Sequence, residues 1–533
     1  MRCPLKMIIY FASPQLQTVR ELSFSSCSDT DLRPYSVRSL LFYIIFAQTF
    51  NPYNTMKRTT LLISLLLMAI CSAYAQTMEE AFEQAKQIVK NIRTTKFPDR
   101  TFRITDFGAM PNKSDVLNHE AINLAILACN QAGGGTVIVP SGDFYTGPIT
   151  LKSNVNLHLE EGATLKFTTD QSYYFPAVIT RWEGIDCYNA HPLIYAYGET
   201  NLAITGKGTI DGQGSADAWW YMKGGRFAKE GKRTQLMGGR DRLFALAETN
   251  APIDRRIMTP EDALRPQLIN LYRCNTVLIQ GVTLKNSPFW IIHPLFCENL
   301  IVRGVDINGL GPNNDGCDPE SCKNVLIEEC SFNTGDDCIA IKSGRNADGR
   351  RWATPSENIV VRNCRMQNGH GGVVVGSEIS GGYRNLYVEN CEMNSPLLDR
   401  VVRIKTSTCR GGVIENIFVR NIKVGVCNEA VMRINLQYEQ KEKCDRSFPP
   451  VVRNVNLENI TCEKSKFGIL INGLDEDDNI YHIRVKDCTF NNVASKGNKM
   501  TGLYHDIEFD NLKINGKVVK KVKSDAKGDF EIF

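Results

Sequence analysis

Asn299, Asn324, Asn358, Asn385, Asn416 and Asn454 each head a short run: LIVRGV, VLIEEC, IVVRNC, LYVENC, IFVRNI and VNLENI. The intervals between them are 25, 34, 27, 31 and 38 residues. Weaker copies begin near Asn154, Asn201, Thr276, His482 and Asp506. Within each run apolar residues alternate, the period of a half-buried strand and not of a helix. Short strands recurring at such a period predict a solenoid. Propeller blades need four strands in a longer unit, so a parallel β-helix with about three strands per coil fits best. Spacing beyond the minimum is loop length at the turns.

The sixth position after each heading residue reads Val282, Val305, Cys330, Cys364, Cys391, Ile422, Ile460 and Cys488. Equivalent positions on successive coils stack one strand apart, so this column predicts an interior ladder. Cysteine exchanges there with Val and Ile as a small hydrophobe. That accounts for four of the fifteen cysteines beyond Cys71, and with no CxxC pair the sequence offers no zinc site. Cys317 with Cys322, or Cys427 with Cys444, are the candidate disulfides.

Residues 1–76 have the look of a leader. Met56-Lys57-Arg58 opens a basic region, Leu61–Ile70 is an apolar core, and Ala73-Tyr74-Ala75 fits a cleavage site before Gln76. The order is that of a secretory signal peptide, too short to span a membrane. Residues 1–55 then read as an extension from a start codon placed too early, residues 56–75 as the signal peptide, and the protein as exported, periplasmic or extracellular. The formal charge of +4 comes from this region. Seven of the 62 basic and three of the 58 acidic residues lie there, leaving 55 of each sign. Bulk charge therefore gives no case for nucleic acid.

Residues 76–100 predict a helical lead-in, with helical spacing over residues 77–92 and a capping box from Thr77 to Glu80. Phe102–Gly108 reads as an opening strand and residues 118–131 as a second amphipathic helix. The β-helix then occupies residues 101–533. Between the Asn201 and Thr276 copies lie 75 residues, and within them residues 213–265 lose the alternation. This insertion predicts a long loop leaving the solenoid, either functional or covering an apolar flank.

Four clusters fall about one coil apart: Asn313-Asn314-Asp315-Gly316, Gly335-Asp336-Asp337-Cys338, Gly369-His370-Gly371 and Arg403-Ile404-Lys405. Asp336 and His370 each stand seven residues before a serine, Ser343 and Ser377, so they take equivalent places on adjacent coils. The expected result is a solvent-facing patch with carboxylates at one end and cations at the other. Clustered carboxylates raise one another's pKa, so one can stay protonated as an acid while another stays ionised as a base. Glycoside hydrolysis needs that division. Arg403 and Lys405 would grip a sugar carboxylate.

These four clusters resemble the Asn-x-Asp, Gly-Asp-Asp, Gly-His-Gly and Arg-Ile-Lys motifs of the polygalacturonases, pectin hydrolases of glycoside hydrolase family 28. The resemblance runs from about Phe102 to the C-terminus. It implies a single-stranded right-handed parallel β-helix, all-β apart from a short N-terminal helical cap. It also implies inverting hydrolysis of α-1,4-galacturonosidic bonds of pectin, with no metal or other cofactor. Asp336 takes the place of the general acid, Asp315 and Asp337 of the pair that activates water, and His370 of the residue supporting the acid. Arg403, Lys405, Asn313 and Tyr438 fall at substrate-binding positions. Asn314 stands where threonine is common.

Exo action is expected, the 213–265 insertion blocking one end of the groove. A rhamnogalacturonan or substituted-galacturonan hydrolase is the alternative within the family. A pectate-lyase-like eliminase and a non-catalytic carbohydrate-binding solenoid are the alternatives outside it.

Overall fold

In the structure, a computed structural model, residues 76–494 and 498–519 are described. The leader and residues 1–55 lie outside them. The predicted solenoid is present as a right-handed parallel β-helix. One coil runs through strands Ile339–Ile341, Ser356–Arg362 and Arg365–Asn368, and the next through Val373–Gly376, Tyr383–Glu389 and Glu392–Met393. Each strand pairs in parallel with its counterpart on the following coil. On the face that carries the site the register runs Ile339, Val373, Val402, Met432, Ile469, Asn498.

The heading asparagines form the corners. Asn299, Asn324, Asn358, Asn385, Asn416 and Asn454 all have φ between 54° and 67°. Asparagine tolerates this left-handed region better than other residues with a Cβ. Their amides also bond from coil to coil. Asn385 Nδ2 donates to Asn358 Oδ1 at 2.9 Å, Asn416 to Asn385 at 3.0 Å and Asn454 to Asn416 at 2.7 Å. Thus the repeat begins with asparagine because the turn needs both that φ and a side chain that donates and accepts.

The sixth-position column is interior, with every member from Val282 to Cys488 no more than 2% exposed. The disulfide is neither expected pair. Cys444 bonds to Cys409, while Cys317, Cys322 and Cys427 are buried free thiols. Those three point into the core or its corners, where they act as small apolar side chains.

The lead-in helix is Met78–Asn91, with the expected capping box. It lies across an outer flank and does not close an end. The second position after each heading asparagine points outward, and in five copies it is apolar: Ile301, Leu326, Val360, Tyr387 and Phe418. Phe82 and its helical neighbours bury this stripe. The end of the core is covered by the second helix, His119–Gln131, through Ile122, Ala125, Ile126 and Cys129. The opening strand is shorter than expected, Thr101–Arg103, and turns at once into a 3-10 helix, Ile104–Phe107.

Two excursions leave the solenoid beside the site. One is an antiparallel hairpin, Val178–Trp182 with Ile185–Asn189. The other is the insertion, which is not wholly loop but holds a helix, Gly239–Glu248. Leu243, Ala247, Met258 and Leu264 of the insertion pack with Trp182, Ile185 and Cys187 of the hairpin against Phe289 and Trp290. It thus does cover an apolar flank.

The corner asparagines give a direct test. Asn385→Ala loses two side-chain bonds and strains φ, an expected cost of about 2–3 kcal/mol. Asn385→Gly loses the bonds but relieves the strain, recovering about 1 kcal/mol. Denaturant unfolding of both variants reads this, and equal losses would remove φ from the account.

Candidate active site

The four clusters converge. Asp336 and Asp337 lie in the bend between strands Ser331–Thr334 and Ile339–Ile341. Being outside a strand, they are free of its alternation, so both side chains reach one site. Gly369 closes the same bend one coil on. Its φ is +146°, and a Cβ there would stand 2.6 Å from the Asp336 carbonyl oxygen.

Asp336 and His370 are equivalent on adjacent coils, as expected. The His370 backbone N–H donates to the Asp336 carbonyl at 3.1 Å, and its Nδ1 is 2.9 Å from Asp336 Oδ1. Asp315 is level not with Asp336 but with Asp337, whose carbonyl accepts from Gly316 N–H at 3.0 Å.

The expected separation of charge does not hold. Asp337, fully buried, is clasped by both cations: Lys405 Nζ at 2.6 Å from Oδ2 and Arg403 Nη1 at 3.2 Å from Oδ1. Nor is the patch on the surface. Asp315, Arg403 and Lys405 are 3%, 9% and 6% exposed. They form the floor of a cavity of about 490 Å3, because the excursions rise beside them. Glu183 of the hairpin and Lys223, Arg226, Phe227 and Arg240 of the insertion share that cavity with Asp315, Asp336 and His370.

The three acids differ in environment. Burial, then the charge of Asp336, holds the Asp315 carboxyl well above the usual carboxylate range. Its Oδ1 has no hydrogen-bond partner and its Oδ2 stands 3.7 Å from Lys342 Nζ. Burial acts to raise Asp336 too, but the His370 hydrogen bond and charge, helped by Lys405 and Arg403, pull it below its ordinary value. The hydrogen bond to Asp336 and its charge in turn raise His370. These directions favour the cluster's proton on Asp315 and ionisation of Asp336 against His370.

One oxygen from each of Asp315, Asp336 and Asp337 can be chosen so that all lie within 4.8 Å of one another. A divalent cation could bridge such a trio. Here Arg403 and Lys405 already take both oxygens of Asp337, and Lys342 faces Asp315, so the acids have counter-charges from the chain itself.

Tyr438 stands over the cations, its ring centre 5.6 Å from the Arg403 guanidinium and 5.5 Å from Lys405 Nζ. Asn313 is held by Arg265, whose Nη2 donates to Asn313 Oδ1 at 2.8 Å. Asn314 is a framework residue: Nδ2 donates to the Ser287 and Phe289 carbonyls, each at 3.0 Å, and Oδ1 accepts from Gly311 N–H at 3.1 Å.

Sequence reasoning missed the layer beside and beneath these residues. Lys342 is 3.2 Å from Glu378, and Arg345 bonds Glu378 at 2.7 Å and Glu442 at 2.9 Å. Arg265, buried beside Asn313, is pulled down to about 9 by burial. A signal for Lys342 existed. It follows Ile341, the partner of Val375, and the next residue, Gly376, pairs with Lys405. The register that aligned Asp336 with His370 extends to this column.

The chain matches the model of "Glycosyl hydrolases family 28" over residues 258–502. A "Probable polygalacturonase" of Vitis vinifera is 28% identical over 418 residues, 76% of this chain and 77% of that protein. An "Exo-poly-alpha-D-galacturonosidase" of Dickeya chrysanthemi is 28% identical over 79% of this chain and 71% of its own length. Among solved structures, an exopolygalacturonase from Thermotoga maritima superimposes with a TM-score of 0.80 at 39% identity, covering 85% of this chain and all of the other. The chain belongs to glycosyl hydrolase family 28. It is a glycoside hydrolase, which sets aside the eliminase and the non-catalytic solenoid. Among the described residues no helix is long and apolar enough to cross a membrane.

The site predicts a pH signature. With its pKa raised above 6.5, charged His370 contributes its pairing with Asp336 fully below 6.5. That contribution is lost as pH rises through the raised value. NMR titration of the imidazole should show a midpoint above 6.5 that falls back in Asp336→Asn. An unchanged midpoint would break the pair as the cause.

Proposed function

We propose that the protein is an exported, exo-acting polygalacturonase, hydrolysing α-1,4-galacturonosidic bonds of pectic chains with inversion. The observation that carries this reading is a trio of carboxylates and a cation pair on the floor of a one-ended groove. On the face that holds the site, the strand positions before it are sealed: Asn270, His293, Asp318 and Glu320 are fully buried. Beyond it the same face is open, with Arg433, Asn435 and Asn472 partly exposed. A groove closed at one end admits the end of a polymer and not its middle. The relatives named as exo-acting support the same direction.

Arg403 and Lys405 bind the carboxylate of a galacturonate unit, with Tyr438 beside them and Asn313 contributing a further polar contact. A bound carboxylate shares the two cations with Asp337, which keeps its contacts to them, and weakens their pull on Asp336. The Asp336 pKa then rises, and the cluster's proton moves from Asp315 to Asp336, which delivers it to the leaving oxygen. Asp315, now ionised, and Asp337 orient water at the anomeric carbon. Asp315 takes the water's proton as the new C–O bond forms and the glycosidic C–O bond breaks, which returns the proton to Asp315 and leaves Asp336 ionised against His370.

The oxygens approach more closely than the roughly 6.5–9.5 Å usual between acid and base in inverting enzymes. Asp337 is nevertheless a poor nucleophile, since cations hold both its oxygens. Water is left as the attacking group, and inversion follows from that.

On polygalacturonate the expected first products are monomer or dimer, read by product sizing beside a rhamnogalacturonan assay. An early ladder of oligomers would sink exo action. Asp336→Asn should lower turnover by about 10²–10⁴-fold on polygalacturonate. An aryl galacturonide with a good leaving group needs no proton, so on it the same variant should lose far less. A uniform loss on both substrates would remove Asp336 as the acid.

A further inference from the structure

Strand Ala430–Asn435 lies one coil beyond Arg403 and Lys405, and Arg433 pairs in register with Arg403. The two are therefore about 4.8 Å apart along the coil axis, the strand spacing. Met432 and Ile434 point into the core, so Arg433 points out, onto the open part of the groove. Its surroundings set it apart from the neighbouring cations of the solenoid face and the layer beneath it. Arg403 and Lys405 have Asp337, Lys342 and Arg345 have Glu378, and Arg410 has Glu439. Arg433 has neither a hydrogen bond nor a carboxylate at ion-pair distance among the described residues. Glu429, the one acid whose charge acts on it, is taken by Arg400. Burial, together with repulsion from Arg400 and Arg403, lowers its pKa against the opposing charge of Glu429.

Resting on the polygalacturonase reading above, we propose that Arg433 forms a second carboxylate-binding subsite, holding the galacturonate unit next along the chain from the one bound by Arg403 and Lys405. The occupant is a uronate carboxylate. A guanidinium recognises it through paired hydrogen bonds, and polygalacturonate presents such groups at every unit. The partly exposed Asn435 and Asn472 edge the same stretch and offer neutral polar contacts to sugar hydroxyls. The enzyme would thus favour chains longer than the cleaved pair, and unesterified ones.

The test is kcat/KM for wild type, Arg433→Gln and Arg433→Lys on oligogalacturonates from two to five units. Arg433→Gln should lose roughly tenfold, chiefly in KM, on chains reaching one unit past the cleaved pair. Digalacturonate should be cleaved as by wild type, and Arg433→Lys should recover part of the loss. A loss equal at every length, or no loss at any, overturns the subsite. Unfolding midpoints of the variants separate a folding defect from a binding one. If wild type cleaves no oligogalacturonate, it is the polygalacturonase reading that fails, and the two outcomes are distinct.

Discussion

Asp337 is 66 residues from Arg403 and 68 from Lys405 in the chain, and the three are in contact. No local interaction could hold them. A buried carboxylate without partners is too costly to remain ionised, and the contact exists only because parallel coils stack at a fixed spacing in a fixed register. The whole site depends on that constraint. Asp336 finds His370 and Asp315 finds Lys342 by the same stacking. What preserves the register is the paired backbone on each face and the asparagine amides bonded along the corners. A slip of one residue would turn the charges into the core and the cysteines out.

The sequence was most legible where chemistry and period coincide. The asparagine headings need a left-handed corner, the sixth-position residues need an interior, and Asp336 aligns with His370 through their serines. Each requirement is local or repeats. Interactions that neither repeat nor stay local were hidden. Cys409 and Cys444 are joined across a loop that has no copy elsewhere. Asp315 and Asp337 are level because the coil between them is short, and a spacing of 22 residues does not say where the shortening falls. The hairpin at Val178–Asn189 alternates like any other strand pair, so nothing marked it as leaving the solenoid.

The depth of the site was also beyond the sequence. Glycine at three of the four clusters predicted a surface patch at turns, and taken alone the solenoid would have produced one. The hairpin and the insertion convert it to a cavity by packing on Phe289 and Trp290, whose aromatic faces would otherwise be open. Covering an apolar flank and walling the groove are thus one event. Arg181 shows the link. It is fully buried between Asp186 of the hairpin and Glu320 of the solenoid, tying the wall to the same face that carries Lys342.

Enclosure changes the chemistry as well as the access. In water the three acids would each ionise and repel weakly. In the enclosed site the same charges interact more strongly, which favours retention of one proton among the acids, and the rest of the negative charge is matched by cations of the chain. The site meets that demand with Arg403, Lys405, Lys342 and His370. In the proposed reaction a bound galacturonate carboxylate competes for two of these and shifts the balance among the acids. Substrate binding and proton placement are therefore coupled by the substrate's own charge. A neutral sugar in the same groove would leave Arg403 and Lys405 on Asp337 and the proton on Asp315, away from the leaving oxygen. Selectivity for a uronate then lies in the chemical step as well as in binding.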